Sequence, residues 1–345
     1  MAYLVKGAPF RYKGAIDVSD CHSSREVMEK AHLAWNVDKC ELYAKMPRMF
    51  GNFPESDIDT FNFGLNQYRN VPKAYGTYRT DCNYPLGLVG EKYEIVQNTE
   101  AFTFFDDAIG KNQAIFQTAG YFGRGERIFV SAKLPNNILV NGDPVDNYLI
   151  LTNSHDGSSG VKILFTPIRV ICQNTLNAAI KTSTNYVSFR HTQSVHDNID
   201  IAHQILGICD VMGRNVGDYY RELAATEMKD AEVDDYLCRV VLSKTEYGNL
   251  ITNGFTPTQL VNRSYHAAND NEISTQKVNI LSSMREYYEY GIGQERIKGT
   301  AWGAFNAVSG YYSNLENNSG IKRMDALLYG SRANILKYAV NNIAA

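Results

Sequence analysis

The chain has 345 residues, 44% hydrophobic and 21% charged, with a formal net charge of −3, the composition of a folded globular protein and not of a disordered or fibrous one. No apolar run reaches the ~18 residues of a membrane span, and the opening MAYLVKGAPFRYKG lacks the apolar stretch of a secretory signal, so an intracellular protein with no membrane partner is expected. The mild acidity excludes a general cationic coat; contact with nucleic acid would need Lys and Arg gathered on one surface.

Residues 1–90 show weak periodicity. Glu26–Leu33 reads as a helix, Trp35–Asn36 as a break, and the stretch from Pro47 to Pro72 as turn-rich, so this region is taken as irregular. Residues 91–200 are clearer. Tyr93–Gln97 alternates like a short strand, and Asn98 and Thr99 offer caps for a helix over Ala101–Ile109. Glu126–Leu134 reads as a strand ended by Pro135. Tyr148–Asn153 and Val161–Val170 form a hairpin across the turn His155–Gly160. A helix over Asn174–Lys181 and a strand over Tyr186–His191 complete this region. From residue 201 onward helical spacing dominates: Ile201, Ile205, Ile208, Met212, Val216 and Leu223 outline a helix from about Asp200 to Thr226. Further helices are expected over Asp230–Ser243, Val278–Tyr290, Gly299–Asn314 and Arg323–Asn342. The fold class is therefore α+β, an antiparallel sheet with packed helices in the middle of the chain (91–200) and a helical region at 201–345. The six cysteines have no C-x-x-C spacing and read as free thiols.

The most distinctive stretch is DNYLILTNSHDGSSGVKILFTPIRVICQNTLNAAIKTSTNYVSFRH, residues 146–191. Its order of strand, H-D-G-S turn, T-P-x-R-V-x-C-x-N-T-L segment and R-H-T tail closely resembles the phage- and plasmid-borne proteins grouped as domain of unknown function 932. The likeness continues through Tyr93–Ala108, Ala119–Pro135, Gly299–Tyr311 and Arg323–Gly330. It implies a mobile-element protein working in the cytoplasm of a bacterial host cell, and it carries no settled chemistry.

Alternation along Arg127–Lys133 puts Ile128, Val130 and Ala132 on one face and Arg127, Phe129, Ser131 and Lys133 on the other. A basic and aromatic sheet face suits a nucleic-acid backbone with a base stacked on it. Lys162, Arg169 and Arg190 add one cation to each later segment. Arg124, Arg127, Lys133, Lys162, Arg169 and Arg190 are thus the candidate phosphate contacts and Phe129 the stacking ring. In the turn, the amides of Gly157, Ser158 and Ser159 are candidates for an anion nest, as is the helix start predicted at Asn174–Thr175 beside Arg169. An ordinary hairpin loop with Asp capping the backbone is the competing reading of the same turn.

His155, Asp156 and His191 are the candidates for a metal or catalytic centre. His191 and His196 stand five apart and no second matched ligand pair accompanies them, so no metal is expected. Cys172 with His191 is a weak nucleophile pair, because Val170 and Ile171 suggest a buried thiol. No phosphate loop of the G-x4-G-K-[ST] kind occurs.

The leading expectation is a non-catalytic nucleic-acid-binding protein without cofactor, a recombination or replication accessory favouring single-stranded DNA and acting as a homo-oligomer. One alternative is a metal-dependent nuclease or hydrolase using His155, Asp156 and His191, for which carboxylates are scarce. Another is a protein that blocks host defence through protein contacts, since the 23 tyrosines are of a type favoured at interfaces.

Overall fold

A computed structural model describes residues 15–46, 60–63, 66–109, 114–169, 174–175, 186–191, 215–315 and 330–343. Cys172, His196 and the remainder of the helix predicted at Asn174–Lys181 lie outside the described residues. Two antiparallel sheets and a set of helices concentrated in the C-terminal half make the fold α+β.

Most of the described residues among the first 90 are organised as strands, where an irregular region was expected. After β1 (Ile16–Asp17) and helix α1 (Ser24–Lys30), β2 (Val37–Met46), β3 (Thr60–Phe63), β4 (Asn66–Arg79) and β5 (Tyr84–Gly90) form a four-stranded sheet. Ser23 caps α1 by accepting from the Glu26 amide, so the predicted helix is present. The long β4 is the central strand: β2 runs along one side, while β3 and then β5 share the other.

The second sheet has seven strands. Helix α2 (Asn98–Ile109) leads to β6 (Ile115–Phe122), β7 (Arg127–Val140), β8 (Asp143–Ser154) and β9 (Val161–Arg169), an antiparallel meander. β1 pairs with β6, while β10 (Asn174–Thr175) and β11 (Tyr186–Phe189) both pair with β9. The β7–β8 connection is Asn141–Gly142, both at positive φ (49° and 82°), as the tightest right-twisted hairpin turn demands. Three expectations are corrected here. Pro135 does not end β7; the register shifts between Lys133 and Asn137, and that irregularity accommodates the missing proline N–H. Tyr93–Gln97 is an extended linker outside any ladder. Asn174 and Thr175 belong to a strand paired with Arg169 and Ile168, not to a helix start, so no helix dipole is directed from them at an anion.

The alternation read along β7 also needs correction in its consequence. Ile128, Val130 and Ala132 do pack in one core with Leu149, Leu151, Ile163, Trp35, Phe102 and Phe105. Phe129 and Ser131, on the opposite parity, are 0% exposed as well. The sheet is therefore covered on both sides over Ile128–Ala132 of β7, and Phe129 offers no ring to a solvent-borne base.

The helical half comprises α3 (215–225), α4 (Asp230–Val241), α5 (Lys244–Thr252), α6 (Pro257–Val261), α7 (Tyr265–Asn269), α8 (Thr275–Tyr290), α9 (Ala301–Gly310, continued by a π turn) and α10 (Ser331–Asn341). Hydroxyl caps start most of them: Ser243, Thr256, Ser264, Ser274 and Thr300 each accept an amide from the first turn, a bond worth about 1 kcal/mol apiece. Their core includes Ile138, Val140 and Val145 from the far end of the β7–β8 hairpin. Beside that end, Arg169 is fully buried, its Nε 2.5 Å from Asp143 Oδ2 and its Nη2 donating to the Gly293 carbonyl at 2.8 Å. Trp302 Nε1 donates to the same carboxylate at 2.9 Å. This buried ion pair ties the sheet to the helices.

Candidate functional site

The end of β8 carries the His155–Gly160 turn into the place where the two sheets meet. The His155 amide donates to the Glu126 carbonyl (2.8 Å), and its own carbonyl accepts from Thr77 Oγ1 on β4 (2.6 Å). β5 lies so close that a Cβ on Gly87 would come within 2.5 Å of Asp156 Cα.

The His155 ring is 0% exposed. Its Nε2 lies 2.8 Å from Asn98 Oδ1, while Asn98 Nδ2 donates to the Leu33 (2.9 Å) and Trp35 (3.4 Å) carbonyls. Since Asn98 offers its oxygen, the neutral imidazole carries its proton on Nε2, leaving Nδ1 a buried lone pair with no hydrogen-bond partner. Trp35 packs edge-on, ring centroids 5.4 Å apart. Burial first, then the neighbouring His191, pushes the His155 pKa down to about 3, with Asp156 opposing.

His191 follows β11. Its Nδ1 donates to the Glu94 carbonyl (3.0 Å), and the Glu94 amide donates back to the His191 carbonyl (3.0 Å). Its Nε2 is a second buried nitrogen without a hydrogen-bond partner. Tyr93 stacks on the ring at 4.6 Å and donates its hydroxyl to the Ser154 carbonyl at 2.8 Å. Burial lowers the His191 pKa, the hydrogen bond to Glu94 opposing, and burial raises that of Tyr93. Asn153 adds a third bare acceptor: its Nδ2 donates to the Val96 carbonyl (2.9 Å) and its Oδ1 is buried without a partner. The result is a neutral, buried, acceptor-rich cluster contributed by the end of β8, the residue pair after β11 and the linker before α2. Both imidazoles are uncharged at neutral pH and shielded from solvent, so neither is placed to exchange protons with a bulky substrate. Among the described residues no group of three His, Cys, Asp or Glu side chains has metal-holding geometry.

The turn itself is internally satisfied. Asp156 Oδ1 accepts from the Ser158 amide (3.0 Å) and from the Ser158 hydroxyl, and the Ser159 amide donates to Ser154 Oγ (3.0 Å). Gly157 sits at φ +75°, the conformation for which the turn carries glycine. The amides of Ser158 and Ser159, expected as an anion nest with Gly157, are thus taken by the loop's own oxygens, and the loop-capping reading holds. Arg127 joins from β7, its Nε and Nη2 donating to Ser158 Oγ at 3.0 and 2.8 Å.

The predicted phosphate contacts divide by position. Arg169 is a buried strut, as above, and does not reach solvent. Lys133 is held by Asp146 at 2.6 Å. The others lie at the turn end of the large sheet. Arg124 is exposed on the β6–β7 turn with its guanidinium 4.4 Å over the Tyr84 ring. Arg127 pairs across the ladder with Ser154, Lys162 with Ser188, and exposed Arg190 directly follows β11. Nearby, Arg79 lies over Trp35 at 4.3 Å and donates to the Arg124 carbonyl at 2.8 Å. Sequence reasoning placed Asn98 only as a cap and Trp35 only as a break. Neither carries a local signal of its contact with His155, which depends on pairings 57 or more residues apart.

The class defined by this architecture is an α+β protein whose two antiparallel sheets meet over a buried pair of neutral histidines. The chain belongs to the family described as Domain of unknown function (DUF932), whose family model matches residues 85–333. No curated protein and no solved structure matches it.

Proposed function

We propose that the protein binds single-stranded nucleic acid without catalysing a reaction, as a homo-oligomeric accessory of phage or plasmid DNA recombination or replication in the bacterial cytoplasm. The observation that supports this most is the cationic end of the large sheet: Arg124 and Arg190 exposed, Arg127 and Lys162 between them, and Arg124 lying over an aromatic ring. Such a rim supplies phosphate contacts, the electrostatic part of single-strand binding. It also meets the requirement of a mildly acidic chain, which must concentrate its cations to hold a polyanion.

The test is fluorescence anisotropy of labelled single-stranded and duplex oligonucleotides over a salt series. Arg124→Ala and Arg190→Ala are each expected to weaken single-strand binding and to reduce the log–log salt slope by about 0.7. Lys133→Ala, whose cation is already paired with Asp146, is expected to leave affinity and slope unchanged. Absence of binding at low salt, or binding indifferent to Arg124 and Arg190, would overturn the assignment.

A further inference from the structure

The β6–β7 turn carries Arg124 out of the large sheet between two glycines at positive φ, Gly123 at 60° and Gly125 at 124°. Glycine leaves a backbone many conformations to choose from, so a side chain mounted between two of them is placed only as well as the turn is held. The turn's own bonds are local: the Gly125 amide donates to the Phe122 carbonyl at 3.0 Å, and the Arg124 amide to Glu126 Oε2 at 2.6 Å.

The rest of the grip comes from the small sheet. Arg79 ends β4 and pairs across the ladder with Tyr84, the first residue of β5. The Tyr84 ring lies under the Arg124 guanidinium, and Arg79 Nη1 donates to the Arg124 carbonyl at 2.8 Å. One cross-strand pair thus holds Arg124 by its side chain and by its backbone. Arg79 is itself fixed. Its Nε and Nη2 donate to the two carboxylate oxygens of Asp81 at 3.0 and 2.7 Å, and its guanidinium lies 4.3 Å over Trp35 and 5.6 Å over Tyr121. The turn is seated directly on this layer, since a Cβ on Gly125 would come within 2.9 Å of the Trp35 ring and 3.2 Å of Arg79 Cδ. The Arg79 side chain is 14% exposed, and each of its three guanidinium nitrogens is engaged inside the protein.

We infer that Arg79 is a positioning residue, which fixes the β6–β7 turn so that Arg124 is presented to a nucleic-acid phosphate in one orientation. The inference rests on the proposed single-strand binding and deepens it: one cation of the rim makes the contact, and a second, set behind it, aims the first. A planar guanidinium suits that task because it serves several partners at fixed angles.

The test needs a substitution that keeps the charge and loses the geometry. Arg79→Lys does so, because a single ammonium does not reproduce the fork that joins Asp81 to the Arg124 carbonyl. In anisotropy with a labelled single strand over a salt series, Arg79→Lys is expected to weaken binding as much as Arg124→Ala and to lower the log–log salt slope by the same ~0.7, although it removes no charge. In an Arg124→Ala background it is expected to cost nothing further, since its effect runs through Arg124. Amide exchange without nucleic acid is the second readout, and Arg124 and Gly125 are expected to exchange faster in Arg79→Lys than in the wild type. Where that variant does not fold, Asp81→Asn, at a carboxylate 45% exposed, loosens the same fork and carries the same expectations. Full affinity in Arg79→Lys, equal losses with and without Arg124, or unchanged exchange in the turn would overturn the inference while leaving the binding activity standing. A wild-type chain that binds no strand would overturn the proposed function and this inference with it.

Discussion

The buried His155 makes a sharp prediction about acid. Its pKa is lowered to about 3 in the folded chain, against 6.5 for an ordinary imidazole. Between those values the unfolded chain takes up a proton that the folded chain refuses, so this histidine subtracts stability as pH falls below 6.5 and has no such effect above it. The slope is about 1.4 kcal/mol per pH unit, giving about 2 kcal/mol lost at pH 5. His191, whose pKa is also lowered, acts in the same direction. Urea unfolding at pH 8, 6.5 and 5 measures the loss. Every carboxylate contributes to acid sensitivity, so the informative quantity is the difference between the wild type and His155→Gln, which keeps an amide donor for Asn98 and cannot titrate. The variant is expected to lose about 1–3 kcal/mol at pH 8 from poorer packing against Trp35, yet to lose about 2 kcal/mol less than the wild type between pH 8 and pH 5. Parallel pH profiles for the two proteins would refute the reasoning.

Two further perturbations probe the joints of the fold. Arg169→Ala leaves the Asp143 carboxylate buried beside Trp302 without its guanidinium and should destabilise the protein by about 3–5 kcal/mol, read by urea unfolding; a loss below 1 kcal/mol would show that the ion pair is not a strut. Gly87→Ala introduces a methyl within 2.5 Å of the Asp156 backbone and should cost about 1–3 kcal/mol through the shift it forces, with amide exchange accelerating first at Thr77 and His155. Unchanged exchange there would argue that β5 and the turn do not press on each other.

Much of the middle and C-terminal architecture was legible because the signals were local. The helix at Asp230–Val241 and the one ending at Tyr290 follow from apolar spacing, and the β8–β9 hairpin from two apolar runs around a Gly/Ser turn. Ser243 with Glu246 and Thr256 with Gln259 were equally readable capping boxes, and weighing them would have revealed α5 and α6. The small sheet was obscured for a physical reason. β2 and β4 are half exposed along much of their length, β4 contains Pro72 and Lys73 at φ 61°, and their residues pair through register, not through hydrophobic alternation. The candidate site was legible by residue type, not by role. His155, Asp156 and His191 do come together, but a single sequence does not reveal that both strand parities of β7 are buried, and that burial decides against Phe129 as a stacking ring.

The same geometry bears on where the unit that holds the histidines begins. The family match starts at residue 85, inside β5, after three of the four strands of the small sheet have been laid down. Yet the groups that settle the state of His155 lie on both sides of that boundary. Its carbonyl is bonded by Thr77, its ring is edged by Trp35, and the Asn98 carboxamide that fixes its tautomer is itself held by the Leu33 and Trp35 carbonyls. Gln97 likewise exchanges two hydrogen bonds with Val37. A buried imidazole keeps its neutral form only while water is excluded and its donor is matched. The segment before residue 85 therefore encloses the buried histidine, and the matched region is a sequence unit whose interior chemistry is completed by residues that precede it.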